Sequence, residues 1–190
     1  MKLLLAQGAA INAVDPYGLT PFHKACQYGN YEVVKMFLES GVDLNIPANT
    51  DTSYAGATPL MVAAYGGHEN VVKLLLLRGA NVNRTSAKGA AIFWAFDHDS
   101  GNNPELIRLL VSHGANVNNG RNYRGQTPLM AAASKEHIEI VRLLLDLGAE
   151  KSLTVNGLTA ADWAKIGSEE IYGKGKAGGL WKDIIKLLNK

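Results

Sequence analysis

Only one cysteine, Cys26, occurs in the 190 residues, so neither an internal disulfide nor a cysteine-based zinc site can form. The sequence therefore reads as intracellular and cytoplasmic, with the thiol as a packing group. An excess of charge of one sign is also missing. The formal net charge is +2, which supplies no basic field for nucleic acid or an anionic membrane, and neither partner is expected. Long apolar runs are absent too: the longest aliphatic cluster, Leu74 to Leu77, falls far short of the about 20 residues that span a bilayer. No Ser-His-Asp order, HExxH, phosphate-binding glycine loop or paired-cysteine motif occurs. No catalytic residue, cofactor site or metal site is therefore expected, and the chain is not read as an enzyme. With 47% hydrophobic and 19% charged residues, it is still an ordinary core-forming composition.

What the chain has instead is repetition. Residues 73 to 83 read KLLLLRGANVN, and the same phrase returns as KLLLAQGAAIN at 2 to 12, KMFLESGVDLN at 35 to 45, RLLVSHGANVN at 108 to 118 and RLLLDLGAEKS at 142 to 152. The opening MKLLLAQGAAIN could pass for a secretory signal, but the repeat accounts for it better. The closing glycines, Gly8, Gly41, Gly79, Gly114 and Gly148, are spaced by 33, 38, 35 and 34 residues. Between them stand GLTPFHKACQYGN (18 to 30), GATPLMVAAYGGH (56 to 68) and GQTPLMAAASKEH (125 to 137), with a degenerate GLTAADWAKIG at 157 to 167. Period and T-P-L-H-x-A signature together resemble the ankyrin repeat over almost the whole chain.

Local chemistry gives the same helix pair without the family name. Thr20, Thr58 and Thr127 suit helix N-caps, each followed by a proline at the first helical position. Small residues such as Ala25, Cys26, Ala63, Ala64, Ala132 and Ala133 allow neighbouring helices to approach closely. A second helix follows, with apolar residues at helical spacing, and stops at a glycine able to adopt the left-handed conformation. One such unit cannot bury its apolar face alone, so units must stack. The expected fold is an all-α ankyrin-repeat solenoid of antiparallel helix pairs with β-hairpin-like loops. Its divisions are an N-terminal half repeat (1–13), repeats at 14–46, 47–84, 85–119 and 120–152, and a C-terminal capping repeat (153–190). In the last, GKGKAGG (173 to 179) reads as a mobile loop after a short first helix. The half repeat suggests a fragment or shortened array, and either a monomer or end-to-end association through residues 1–13 is expected.

Such a scaffold leaves a few side chains over for function. Asn12, Asn45, Asn83 and Asn118 recur where an amide can bond turn backbone. In the family resembled, the histidine of the signature, here His23, bonds between repeats. His68 and His137 stand at matched starts of second helices, whereas His98 and His113 have no such place in the pattern. The Asp97-His98-Asp99 triplet offers three ligands, but consecutive helical side chains diverge, so metal or acid/base chemistry is not expected there. Protein recognition is the stronger expectation. Tyr17, Tyr54 and Tyr123 lie at equivalent loop tips, with Arg124 beside the last. Tyrosine gives large contact area at low entropy cost, although these rings could instead pack across adjacent loops. The resemblance implies a concave groove lined by loop tips and first helices: Lys24, Gln27, Tyr28, Val62, Tyr65, Trp94, Asp97, His98, Ser134 and Lys135. The function implied is non-catalytic binding of a protein partner. The alternatives are a targeting segment of a larger enzyme or effector, and a nucleotide-like ligand stacked on Trp94 beside lysines.

Two stretches break the rhythm. Loop 46 to 56, IPANTDTSYAG, is about five residues longer than its counterparts and is expected to project as a finger that carries function or is neutral drift. In AKGAAIFWAFDHDSGNNPEL (87 to 106) the Thr-Pro start is replaced by alanines. Aligning Gly89 with the other repeat glycines would put Phe96 and Asp97 in the tight positions; one missing residue after Lys88 instead puts Ala95 at the first of them. The second alignment is preferred because an unpaired buried charge is costly. Asn103 is then an N-cap and Pro104 the first residue of the next helix.

Overall fold

A computed structural model describes residues 12–49, 52–97, 103–172 and 179–189. The threonines begin the first helices as expected. Helix α1 (Pro21–Gln27), α3 (Pro59–Tyr65) and α7 (Pro128–Ser134) are each capped by a threonine hydroxyl that accepts from the backbone N–H three residues on. Each has its proline at the first position, where no N–H is needed. A second helix of nine residues follows in each unit: α2 (Tyr31–Glu39), α4 (Glu69–Leu77) and α8 (Ile138–Asp146). The third unit has α5 (Ala91–Trp94) and α6 (Pro104–Ser112). Asn103 caps α6 by accepting from Leu106 N–H at 2.9 Å. The last unit has α9 (Ala160–Tyr172) and α10 (Trp181–Leu188). Among the described residues there is no sheet; the loops carry only the isolated bridges Ser86–Gly89 and Val155–Leu158.

The helix pairs stack first helix on first helix and second on second, which places one hydrophobic core along the array. Val71, Val72 and Leu75 of α4, Leu106, Ile107 and Leu110 of α6, and Ile140, Val141 and Leu144 of α8 are fully buried at the same helical spacing. Gly79 and Gly114 end their helices at φ +89° with open space around them, so backbone conformation alone demands glycine there. Val62 and Ala131 on the first helices belong to this core.

Units are also tied by polar bonds that the chain cannot make locally. The asparagines reach the following unit rather than their own turn. Asn45 Oδ1 accepts from Asn81 N–H at 2.9 Å, Asn83 Oδ1 from Asn116 N–H at 2.9 Å and Asn118 Oδ1 from Glu150 N–H at 2.9 Å. His23 is wholly buried, and its Nδ1 accepts from Thr20 N–H at 3.2 Å. Its Nε2–H therefore donates, to Ile46 and Ala57 carbonyls at 3.1 Å each, joining two units. Burial holds its pKa below the ordinary imidazole value. Burial likewise pushes the Cys26 thiol up, which suits a packing group.

Two expectations about the outline are corrected. The 46–56 loop does not project at its ends. Ala48 is buried, its N–H donates to Ala57 O at 2.7 Å, and Asn49 N–H reaches Gly18 O of the preceding unit at 3.3 Å. Closing these backbone bonds folds both flanks onto the body. The first helix of the last unit is long, not short: α9 runs 13 residues and continues through Gly167. Gly167 lets it cross α7, since a side chain there would collide with the Ser134 carbonyl. The glycine-rich run at 173–178 lies outside the described residues.

Candidate partner-binding face

The loop tips and first helices form one face, and its centre is a chain of aromatic rings. Tyr17 meets Tyr54 edge-on at 6.5 Å, Tyr54 lies 5.8 Å from Trp94, and Tyr65 meets Trp94 edge-on at 5.9 Å. Three units thus contribute to one aromatic row. Gln27 Nε2 donates to the Tyr54 hydroxyl at 3.0 Å and fixes the middle ring. The spacing falls within the 4.5–7 Å preferred by aromatic pairs. Of the three loop-tip tyrosines, Tyr54 is half-buried and packs across neighbouring loops, whereas Tyr17 stays 55% exposed and Tyr123 75% exposed. Tyr28, at the end of α1, is 66% exposed.

Trp94 occupies a different place from the one expected. It is fully buried, under Tyr54 and Tyr65, and its indole N–H donates to Ser86 Oγ at 3.2 Å. It offers no exposed groove surface and no platform for a stacked base; it supports the rings above it. Sequence reading put it at the Lys24 position, and the register is right. Ala90 takes up the N-cap backbone conformation, φ −76° and ψ 171°, that Thr20 has at φ −76° and ψ 165°. The preceding loop is one residue shorter: Asp15 N–H bonds Leu19 O, but Ser86 N–H bonds Gly89 O. A large apolar ring at that register folds inward where a lysine stays at the surface.

Ionic groups flank the row. Lys24 pairs with Asp15 at 2.9 Å and stands 5.7 Å from the Tyr17 ring centre. Lys88 pairs with Asp97 at 3.0 Å while lying 5.4 Å from the Tyr65 ring centre and 5.0 Å from that of Trp94. The second oxygen of Asp97 takes the Lys135 ammonium from the next unit. Burial acts to raise the Asp97 pKa, but the bonds and charges of Lys135 and Lys88 outweigh it and hold the carboxyl below its usual range. Arg124 stacks on Tyr123 at 6.0 Å and reaches Glu170 of α9 at 3.1 Å. Lys88, Asp15 and Glu170 were missed by sequence reasoning. Lys88 stands just before a repeat glycine, the same signal that singled out the tyrosines.

The histidines find structural partners. His68 Nε2–H donates to Gln27 O at 2.9 Å, and His113 Nδ1–H donates to Leu109 O at 3.0 Å. The His137 ring meets Phe96 edge-on at 6.2 Å. His98, expected in the groove, and Asp99 lie outside the described residues. Among the described residues no group of three or more His, Cys, Asp or Glu side chains gathers for a metal, and Asp97 is occupied by its two lysines. No helix among them is long and apolar enough to cross a membrane.

A family described as ankyrin repeats in three copies matches residues 1–86 and 88–171. The chain belongs to the ankyrin-repeat family. The ankyrin chain is 32% identical over 155 residues to the B-cell lymphoma 3 protein homolog of Mus musculus, covering 80% of this chain and 34% of that protein. It is 34% identical over 158 residues to a probable E3 ubiquitin-protein ligase, XBOS32, of Oryza sativa subsp. japonica, covering 68% and 31%. A phosphocholine transferase, AnkX, of Legionella pneumophila shares 31% over 129 residues, covering 67% and 13%. The chain thus spans about a third or less of the length of these relatives. Ankyrin repeats are generally protein-interaction modules and typically non-catalytic, and they also occur within larger enzymes.

Proposed function

We propose that this chain binds a partner protein, without catalysis, through its loop tips and first helices. The observation that carries the reading is the combination on one face of exposed Tyr17, Tyr28 and Tyr123 with a supported aromatic row. Exposed aromatic rings on a rigid base lose little entropy on binding and are favoured anchors in protein interfaces. The test is affinity capture with the wild-type chain and with a Tyr17→Ala, Tyr28→Ala, Tyr123→Ala variant of matched thermal stability. A partner identified by mass spectrometry should be recovered at least about tenfold less by the variant, the loss expected when hot-spot rings are removed. Equal recovery overturns the reading.

A second reading concerns the setting of this module. Because the chain covers only a fraction of its relatives, and two of them bear enzyme names, it serves as the recruiting segment of a larger enzyme or effector. Sequencing the transcript on both sides of this region tests it: a continuous frame into a catalytic domain supports it, and stop codons close to both ends exclude it.

A further inference from the structure

We infer that the partner is engaged through an acidic segment whose carboxylate docks at Lys135, beside the Lys88–Asp97 pair, across the junction of the third and fourth units. The inference rests on the partner-binding reading and adds the chemistry of the partner.

Charge balance along the face carries it. Among the described residues, the ion pairs there join four cations, Lys24, Lys88, Lys135 and Arg124, to three carboxylates, Asp15, Asp97 and Glu170. Lys24 and Arg124 each have a carboxylate of their own. Asp97 must serve two lysines, so within these pairs the junction of the third and fourth units has one more cation than carboxylate. The two lysines are not equivalent. Lys88 is held over the Tyr65 and Trp94 rings and is the more enclosed. Lys135 is 42% exposed and, among the described residues, bonds only Asp97, leaving two of its three ammonium protons for a ligand.

The chemistry of that ligand follows from the donors. One surplus unit charge on a point-like ammonium matches a single carboxylate, a group the junction already accommodates in Asp97. A phosphate would be better served by an arginine fork, but both cations paired with Asp97 are lysines, and Arg124 turns its Nη1 to Glu170. A nucleic-acid backbone needs a run of cations, whereas Lys24 and Arg124 each stand against a carboxylate. The exposed Tyr17 and Tyr123 give the same segment apolar contacts on either side.

The test measures fluorescence anisotropy of three labelled probes against the full chain. They are a twelve-residue Glu-Tyr alternating peptide, its Lys-Tyr counterpart, and a twelve-nucleotide oligothymidine. The Glu-Tyr peptide should bind about tenfold or more tighter than the Lys-Tyr peptide, and Lys135→Glu should weaken it by about tenfold, in the range of one interfacial charge contact. Lys73→Glu, exposed on the second helix α4 and away from this face, should weaken it by less than about twofold, within the small effect of a remote screened charge. Asp97→Asn should tighten it by releasing both lysines. Each variant is compared at equal folded fraction by circular dichroism. Equal binding of the two peptides, no binding of either, no response to Lys135→Glu, or tighter binding of oligothymidine overturns the inference. A captured partner that is lost with the three tyrosines but kept by Lys135→Glu would leave the partner-binding reading standing and remove the acidic segment.

Discussion

The second and third units solve the same packing problem with different chemistry. In the second, Thr58 caps α3 through Met61 N–H, Pro59 starts it, and Ala63 and Ala64 let the neighbours close in. In the third, Ala90 stands in the same backbone conformation without a cap, α5 lasts a single turn, and Phe96 takes the place of Ala64. That ring does not overfill the interface, because the helix has already ended at Trp94. It packs against Phe93 at 6.0 Å and against His137 of the fourth unit. What the unit loses in helix and cap is replaced by buried aromatic area and by the Lys88–Asp97–Lys135 bridge. A divergent repeat can thus keep its place in a stack by exchanging local stabilisation for contacts between units.

The comparison is broken most severely by Phe96→Ala, which should lower stability by about 3–5 kcal/mol through the cavity left between the third and fourth units. Urea unfolding would measure it, and a loss below about 1 kcal/mol would mean that the interface closes without the ring. Next comes the N3 position of the first helix, which is His23 in the first unit and Phe93 in the third. His23→Phe should remove about 1–3 kcal/mol by taking the imidazole donor from the Ile46 carbonyl and the acceptor from Thr20 N–H, while Ala57 O keeps its bond from Ala48 N–H. The same substitution should change the pH profile. The unfolded imidazole takes a proton near pH 6.5 and the buried one only at lower pH, so wild-type stability falls as pH drops below about 6.5. Thermal melts should show a shallower fall in the variant, the remainder coming from His137, whose pKa is lowered by burial and by Lys135.

Smaller effects sharpen the contrast in capping. Thr58→Ala should destabilise by about 1 kcal/mol, and Ala90→Ser should stabilise by a comparable or smaller amount by adding a side-chain acceptor at the helix start, where Phe93 N–H bonds the Ala90 carbonyl at 2.9 Å. Calorimetry that finds no gain at Ala90 would show that the third unit does not need a cap. Asp97→Asn should have the least effect on stability, about 0–1 kcal/mol, as for a partly exposed ion pair. Because the native Asp97 pKa lies below 3.8, the wild type holds this contribution above that pH and loses it as pH falls through the folded value. The variant should therefore approach wild type in acid, and a difference that does not narrow as pH falls below 3.8 would count against an ionic origin.

Much of the architecture was legible because it is written in short-range chemistry. Thr20, Pro21 and the apolar spacing of α4 act within one or two turns, so their positions specify the helices directly. The missing residue after Lys88 was also legible, since only that register kept Asp97 out of the tight positions. The site was legible only in part. Tyr17 and Tyr123 were found by their place before the repeat glycine, but that place is silent on whether a ring faces water or a neighbour. Tyr54 shares the position and is half-buried, and Trp94 shares the Lys24 position and is fully buried.

The amino-acid sequence by itself determined the repeat, its period, and its helix starts and stops, whereas the face of loop tips and first helices came from the family resemblance. Repeat, period and helix ends follow from residue type and spacing within about one unit. Only the tertiary structure decided that Trp94 lies beneath Tyr54 and Tyr65, that Asp97 serves two lysines, and that the asparagines bond the next unit. Apart from Lys88–Asp97 within the third unit, those contacts join residues about one repeat apart in the chain, where side-chain size and charge compensation between stacked units set the outcome.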